Sequence, residues 1–464
     1  MSEGAAQVSN ALSRRLNSQS AGVIIRMIMP NICSIRGVIA AQPALVQPMK
    51  CDKAGRYKQA QTRYKISMTS KYKIAVAGAG IGGLAAAAFL ARDGHTVTVY
   101  DQFDAPAPVG SGLVMQPIGL MVLDALGVGE RALNYGNKIH DMIGIESKSG
   151  RKVLNVTYDG TKHERFGLAM HRASLFDCVH HAAKTAGATI VSSTPITATQ
   201  NLPAGRLLLS HERKLGLFDL VIDGSGVDSP LSPMQPIPLS YGALWGIVDT
   251  PTKPKNTLAQ CYRKASTMVG ILPVGFLPND PKHKTALFWS LPRDDFDEWR
   301  NAPFADWQSD AATLWPSFAP YAELLTDHAD LTMAKYSHGT LRNPTEDRLA
   351  YIGDAAHRTS PQLGQGANMA LLDAMALAQS LRHKTVEMAL SDYAQMRRWH
   401  VRIYQLMSRA FTPFYQSDST ILPILRDYLL APVSDLPVVR TILQKMVSGE
   451  LTSIGPLAKT ARKP

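Results

Sequence analysis

Cysteine is scarce in this chain: Cys33, Cys51, Cys178 and Cys261 stand far apart with no CxxC pair, and the His180–His181 pair that follows Cys178 reads as surface residues. That spacing excludes a disulfide framework, a zinc–thiolate site and a dithiol redox centre, and it suits a reducing compartment. None of the thirteen histidines falls into an HExxH or comparable pattern, so no metal is expected. Long apolar runs are missing too. A spanning helix needs about 18 such residues, and the stretch from Ala21 to Val46 is broken by Arg26 and Arg36. With 45% hydrophobic and 19% charged residues, the composition is that of a globular protein. A length of 464 residues predicts two domains with appendages.

The net charge of +12 is unevenly placed: ten Lys or Arg and two acids precede Met68. The remainder is close to neutral for its size, so no nucleic-acid partner is expected. Residues 1–67 read as a basic leader, disordered or outside the fold. Rich in Ser and Arg and poor in acids, they have the composition of an organelle transit peptide. An over-long start, with Met68 the true one, is equally compatible. The expected location is the cytoplasm, or the mitochondrial matrix if the leader is a transit peptide.

From Lys73 a short β-branched run leads into Gly78-Ala79-Gly80-Ile81-Gly82-Gly83 and then an Ala/Leu helix. This is the order of a βαβ unit that binds a dinucleotide. Gly78 permits the turn, Gly80 lets a pyrophosphate approach, and Gly83 lets helix and strand pack closely. The helix start at Ile81 and Gly82 offers free N–H groups to phosphate. The next strand, Thr96 to Tyr100, runs into Asp101, 21 residues after Gly80, the usual offset for an acid on ribose hydroxyls. This segment alone does not separate FAD from NAD.

A second glycine-rich segment follows the apolar run Arg348 to Ile352: Gly353-Asp354-Ala355-Ala356-His357, then Pro361-Gln362-Leu363-Gly364-Gln365-Gly366-Ala367-Asn368 opening a helix. Asp354 at a strand end can accept from ribityl hydroxyls. Gly364 and Gly366 clear space for a flat ring, and the helix near Ala367 aims its positive end at the loop.

Together the two segments resemble those of the single-component, FAD-dependent aromatic hydroxylases, which include salicylate-type and ubiquinone-biosynthesis enzymes. The resemblance covers roughly residues 71–381. It implies an α/β fold: a Rossmann-like FAD-binding domain (68–240 and 341–384), an inserted, mainly antiparallel β substrate domain (241–340, with strands from about 138–166) and a C-terminal helical region (385–464). It implies FAD, with NADH or NADPH as co-substrate, and O2 adding at flavin C4a to give a hydroperoxide that hydroxylates an aromatic or quinone-precursor ring. Gly78, Gly80, Ile81, Gly82, Gly83, Asp101, Arg172, Gly353, Asp354, Gly364, Gln365, Gly366, Ala367 and Asn368 would hold the cofactor. Arg172 matches the family's Arg-x-x-Leu helix start, which reaches the ribityl region. Pro361 and Gly364 would lie nearest the reacting edge as backbone; no side-chain base is named, and His357 is read as structural. In Asp223-Gly224-Ser225-Gly226, Ser225 stands where the family has Asp, and Pro230 where Arg is common. This departure bears on nicotinamide as reductant. A halogenase, an isoprenoid or quinone reductase, and an FAD-binding scaffold remain the alternatives.

Strand-like stretches at 142–145, 153–156, 243–248, 268–272 and 285–290 predict the antiparallel sheet. Trp245, Phe288 and Trp289 are candidates for its pocket wall. Trp299, Trp307 and Trp315 predict an amphipathic helix from 294 to 315. The apolar C-terminal helices predict a cap, or a surface for peripheral lipid contact by which a lipophilic substrate enters. Oligomeric state is not legible.

Overall fold

A computed structural model describes residues 71–104, 111–159 and 164–452; the leader at 1–67 lies outside them. A mostly parallel six-stranded sheet runs in the order Thr345–Glu346, Leu349–Tyr351 (β4), Leu220–Asp223 (β3), Lys73–Ala77 (β1), Thr96–Tyr100 (β2), Thr189–Val191. Only the edge strand at Thr345 is antiparallel. Register centres on Val76, which lies between Ile222 and Val99. The β1 run is buried from Ile74 to Ala77, as a sheet covered on both faces requires.

Helix α1 (Ile81–Arg92) is an alanine-rich former buried along nearly its whole length. It packs between α3 (Arg172–Thr185) and α4 (Gly366–Leu381). Helix α2 (Pro117–Ala125) leans on the start of α4, and α5 (Val386–Tyr415) lies along α4.

The second layer is an eight-stranded sheet. It takes in Asp141–Glu146 and Lys152–Thr157 as well as the strands Ile237–Asp249, Thr257–Arg263, Thr267–Leu277, Asp280–Pro292 and Thr332–Thr340. All its pairings are antiparallel except Thr257–Arg263 with Asp141–Glu146. Side-chain alternation gives the sheet two different faces. Val114, Ala169, Leu272, Val274, Ala286 and Trp245 cluster on one; Leu244, Val269, Leu287 and Trp289 pack on the other with Trp307 and Phe318.

The stretch from 294 to 315 is not one helix. Helices Phe296–Asn301 and Phe304–Leu314 are separated at Ala302–Pro303, where proline cannot donate into the preceding turn. Trp315 then lies in extended backbone. Trp307 and Trp315 are buried nonetheless, so the tryptophans do pack as a core.

Helix α6 (Pro437–Val447) returns to the sheet, placing Val447 beside Val114 and Leu272. No helix among the described residues is long and apolar enough to cross a membrane. Among the same residues no group of three His, Cys, Asp or Glu could hold a metal, and Cys178 and Cys261 are free and buried.

Candidate active site

Two helix N-termini converge. Neither α1 nor α4 has a side-chain cap, so the first N–H groups of each have no intrahelical acceptor. A Cβ on Gly82 in the first turn of α1 would lie 3.2 Å from Ala370 Cβ of α4. Gly78 has φ +93° and sits against the Gly224–Ser225 backbone, so the turn after β3 braces the turn after β1. A Cβ on Gly83 would fall 2.1 Å from the Gly78 carbonyl oxygen. Gly80 and Gly366 are different: the nearest heavy atom to a Cβ on Gly80 is 3.8 Å away, and on Gly366 nothing lies within 4 Å. That is the cradle a pyrophosphate and a flat ring require, open space in front of unpaired N–H groups. The residues present fit FAD.

Asp101 is buried at 8% exposure. Its Oδ2 accepts from the Ala79 N–H at 2.6 Å and its Oδ1 from the Phe103 N–H at 3.0 Å. The carboxylate thus fixes the glycine turn and retains lone pairs for ribose hydroxyls. Asp354 is half-buried, and its carboxylate accepts no hydrogen bond among the described residues. Arg172 opens α3, exposed and without an ion pair among the described residues. His171 caps α3, accepting from the Ala173 N–H at Nδ1, 3.1 Å away. Burial, and then the Lys284 ammonium, push its pKa down to about 4, which preserves that acceptor.

Gly364 adopts φ +59° and ends the Pro361–Leu363 turn. Two of the expected cofactor ligands are occupied otherwise. The Asn368 side chain is wholly buried. It accepts from the Gln116 N–H at 2.9 Å and donates to the Gly364 and Val114 carbonyls at 2.9 and 3.2 Å. The Gln365 side chain donates to the Val447 carbonyl at 3.0 Å. Both amides tie the loop to neighbouring chain, leaving backbone N–H groups as their means of reaching a ligand. Gly353 donates its N–H to Asp373 at 2.9 Å, and His357 is buried against the same carboxylate, Nε2 to Oδ2 2.6 Å.

The Ser225 departure acquires a local account. Asp223, wholly buried, accepts from the Ser225 N–H at 3.1 Å and the Ser229 hydroxyl at 2.5 Å. Burial pushes its pKa up, against those donors. The turn is closed by the acid two residues upstream. Of the aromatic candidates, Trp245 and Phe288 share a sheet face, with ring centroids 4.9 Å apart, and Trp245 packs in the cluster around Val114, whose carbonyl accepts from Asn368 of α4. Trp289 points the other way, 5.7 Å from Trp307.

Residues 71–403 match the family model described as FAD binding domain. Hispidin-3-hydroxylase of Neonothopanus nambi is 26% identical over 72% of this chain and 86% of its own length. The 6-hydroxynicotinate 3-monooxygenase of Bordetella bronchiseptica is 25% identical over 67% and 83%. Klebsiella pneumoniae HpxO, in a crystal structure with FAD and uric acid, superposes with a TM-score of 0.70 at 19% identity, covering 84% of this chain and 100% of that one. With the family model spanning most of the chain, the protein belongs to the FAD binding domain family and is an FAD-dependent oxidoreductase of the monooxygenase kind.

Proposed function

We propose that the protein hydroxylates a small aromatic or quinone-precursor molecule, with NADH or NADPH as reductant and O2 as the source of the inserted oxygen. The observation that carries the reading is the open cradle between the two uncapped helix starts, beside a sheet face bearing Trp245 and Phe288. Bound FAD supplies the passage of two electrons from nicotinamide to oxygen. The chain's own residues do the rest. The α1 start and Gly80 hold the pyrophosphate, Asp101 the ribose and Asp354 the ribityl hydroxyls. The α4 dipole favours negative charge on the ring edge beside Gly366. The sheet face excludes water from the reacting ring. Relatives named as a hydroxylase of hispidin and a monooxygenase of 6-hydroxynicotinate support a ring compound as substrate.

The test is anaerobic stopped-flow absorbance of the FAD-loaded chain with NADH or NADPH and a panel of phenols and quinone precursors, followed by isotope-labelled O2. Bleaching accelerated by one ligand, and labelled oxygen in its product, is the expected result. Nicotinamide consumed with hydrogen peroxide as the sole product for every ligand sinks the reading and brings the reductase and scaffold alternatives forward.

We also propose that the C-terminal surface meets lipid. Ile421, Ile424, Tyr428, Leu436, Val438 and Ile442 are 46–72% exposed, and the Arg151 guanidinium lies 4.1 Å over the Tyr428 ring. Apolar side chains beside a cation suit an anionic bilayer interface. Co-sedimentation with anionic lipid vesicles is expected for the wild type, weakened about tenfold or more by Val438→Asp with Ile442→Asp. A wild type that stays in the supernatant discards the surface.

A further inference from the structure

Gln116 lies between the two glycine-rich segments in the sequence and belongs to neither. Its backbone is held on both sides. The N–H donates to Asn368 Oδ1 at 2.9 Å, and the carbonyl accepts from the Gly119 and Leu120 N–H groups in the first turn of α2. The side chain does not cap that helix, and the residue is 1% exposed. Asn368 in turn donates to the Val114 and Gly364 carbonyls. Gln116 is therefore anchored to the loop that opens α4.

One neighbour fixes which way the amide faces. The Tyr158 hydroxyl donates to Gln116 Oε1 at 2.6 Å and makes no other hydrogen bond among the described residues. Tyr158 is buried. Burial pushes its pKa up, and the bond to Gln116 opposes this only in part, so the proton stays on the phenol. A flipped amide would strand that buried O–H without an acceptor, at the full desolvation cost of the group. Oε1 thus faces Tyr158, and Nε2 faces away from it.

Nε2 is an unspent donor at the cradle. No hydrogen bond among the described residues engages it. A Cβ on Gly364 would meet one heavy atom within 4 Å, this nitrogen at 3.2 Å, and a Cβ on Gly366 would meet none. The amide nitrogen therefore borders the open space along Gly364 and Gly366. With its backbone and Oε1 both tied, the side chain cannot turn away to find another acceptor. Buried donors without an acceptor are rare in folded proteins; this one has its acceptor in whatever fills the space.

We propose that Gln116 is a flavin-contacting donor, and that Tyr158 is the positioning residue that aims it. The Nε2–H group donates to the acceptor edge of the ring lying along Gly364 and Gly366. It donates more strongly once that edge carries the negative charge of the reduced ring, because hydrogen bonds to charged acceptors are roughly twice as strong as neutral ones. The amide then favours reduced over oxidised FAD by about tenfold, which for a two-electron couple is about 30 mV of midpoint potential. The inference rests on FAD binding and not on ring hydroxylation.

The test is the midpoint potential of FAD in the loaded full chain, read by absorbance against a reference dye during slow anaerobic reduction. Gln116→Met keeps the length of the side chain and removes the donor; the potential is expected to fall by about 30 mV. Tyr158→Phe keeps the amide but frees it to turn, and a smaller fall is expected. Because Tyr158 acts through Gln116, the double variant is expected to match Gln116→Met alone, whereas independent structural damage would add. FAD content and circular dichroism report whether each variant is folded. If Gln116→Met is not, Tyr158→Phe, which loses one oxygen atom, carries the test alone. A potential that is unaltered or raised in the folded variants overturns the proposal, and additive shifts overturn the role given to Tyr158. The measurement needs neither an aromatic ligand nor O2. An unaltered potential therefore leaves the hydroxylase reading standing, and a lowered one in a protein that hydroxylates nothing sinks that reading alone.

Discussion

Gly366→Leu is expected to weaken FAD binding about a hundredfold or more while leaving the flavin-free protein as stable as the wild type. The two effects separate because of where the added side chain goes. Gly366 is the first residue of α4, and a Cβ there meets nothing within 4 Å. Leucine is the better helix former, by somewhat less than the roughly 0.8–1 kcal/mol that separates glycine from alanine, so the apoprotein has no reason to lose stability. The same empty space is where a ligand's negative edge must reach the α4 N–H groups. Losing that approach removes charge-assisted hydrogen bonds of about 1.5–3 kcal/mol each, and about 2.7 kcal/mol is a hundredfold in affinity. Gly83→Ala is the contrast. Its Cβ would lie 2.1 Å from the Gly78 carbonyl oxygen, a backbone atom in a braced turn. Helix α1 must then move off β1, at a cost of about 1–3 kcal/mol or more, and both stability and FAD are lost. Fluorescence titration of FAD into apoprotein, beside a thermal melt, reads both quantities. Wild-type FAD affinity in Gly366→Leu would mean the ring does not lie where the α4 start points.

The two glycine-rich segments are legible because each function is local. A turn, a helix start and an acid at a fixed offset lie within about thirty residues, the size of one βαβ unit, so spacing along the chain stands in for distance in space. Five strands of the large sheet are legible for the same reason, as period-2 alternation is a property of each strand alone, whereas Thr257–Arg263 and Thr332–Thr340 are not read from it. What was not legible depends on residues that meet only after folding. Tyr158 and Gln116 are 42 positions apart and Asn368 is 252 from Gln116, and neither Tyr158 nor Gln116 belongs to a glycine-rich segment. Asn368 and Gln365 lie inside the motif, but their amides turn to Gln116, Val114 and Val447, which no motif spacing encodes. The helix expected from 294 to 315 failed at one residue. The tryptophan spacing takes no account of Pro303, which separates the two helices. Ser225 reads as a departure from the motif, and the hydrogen bonds by which Asp223 closes that turn, from the Ser225 N–H and the Ser229 hydroxyl, are not encoded in its spacing.

Arg397→Met is expected to destabilise the protein by about 3–5 kcal/mol and to make it unfold at a higher pH on acidification. Asp373 is wholly buried; Arg397 Nε donates to its Oδ1 at 2.6 Å, while His357 and the Gly353 N–H share its Oδ2. Burial alone would push this carboxyl up, but His357 and Arg397 outweigh it and hold it well below the usual carboxylate range. A folded pKa below the unfolded value of about 3.9 means stability that is present above about pH 4 and lost as the pH falls further. His400 accepts from Arg397 Nη1 at 3.2 Å through Nδ1. Burial, and then Arg397, lower its pKa to about 3. Its unfolded value is about 6.5, so stability also drains between about pH 6.5 and 3 as the unfolded chain takes up the proton. With Arg397 gone, burial is opposed at Asp373 by His357 and the Gly353 N–H, and the carboxyl titrates higher. The acid limb therefore begins at a higher pH in the variant although the His400 contribution is relieved, because a buried carboxylate that has lost its arginine partner is the larger cost. The cluster lies beneath the second flavin segment, through Gly353 and the Met369 carbonyl, so FAD affinity is expected to fall with stability. Urea unfolding of flavin-free protein at about pH 7 and 5 measures the effect. Equal midpoints for wild type and variant at both pH values would show that Arg397 and Asp373 do not stabilise one another.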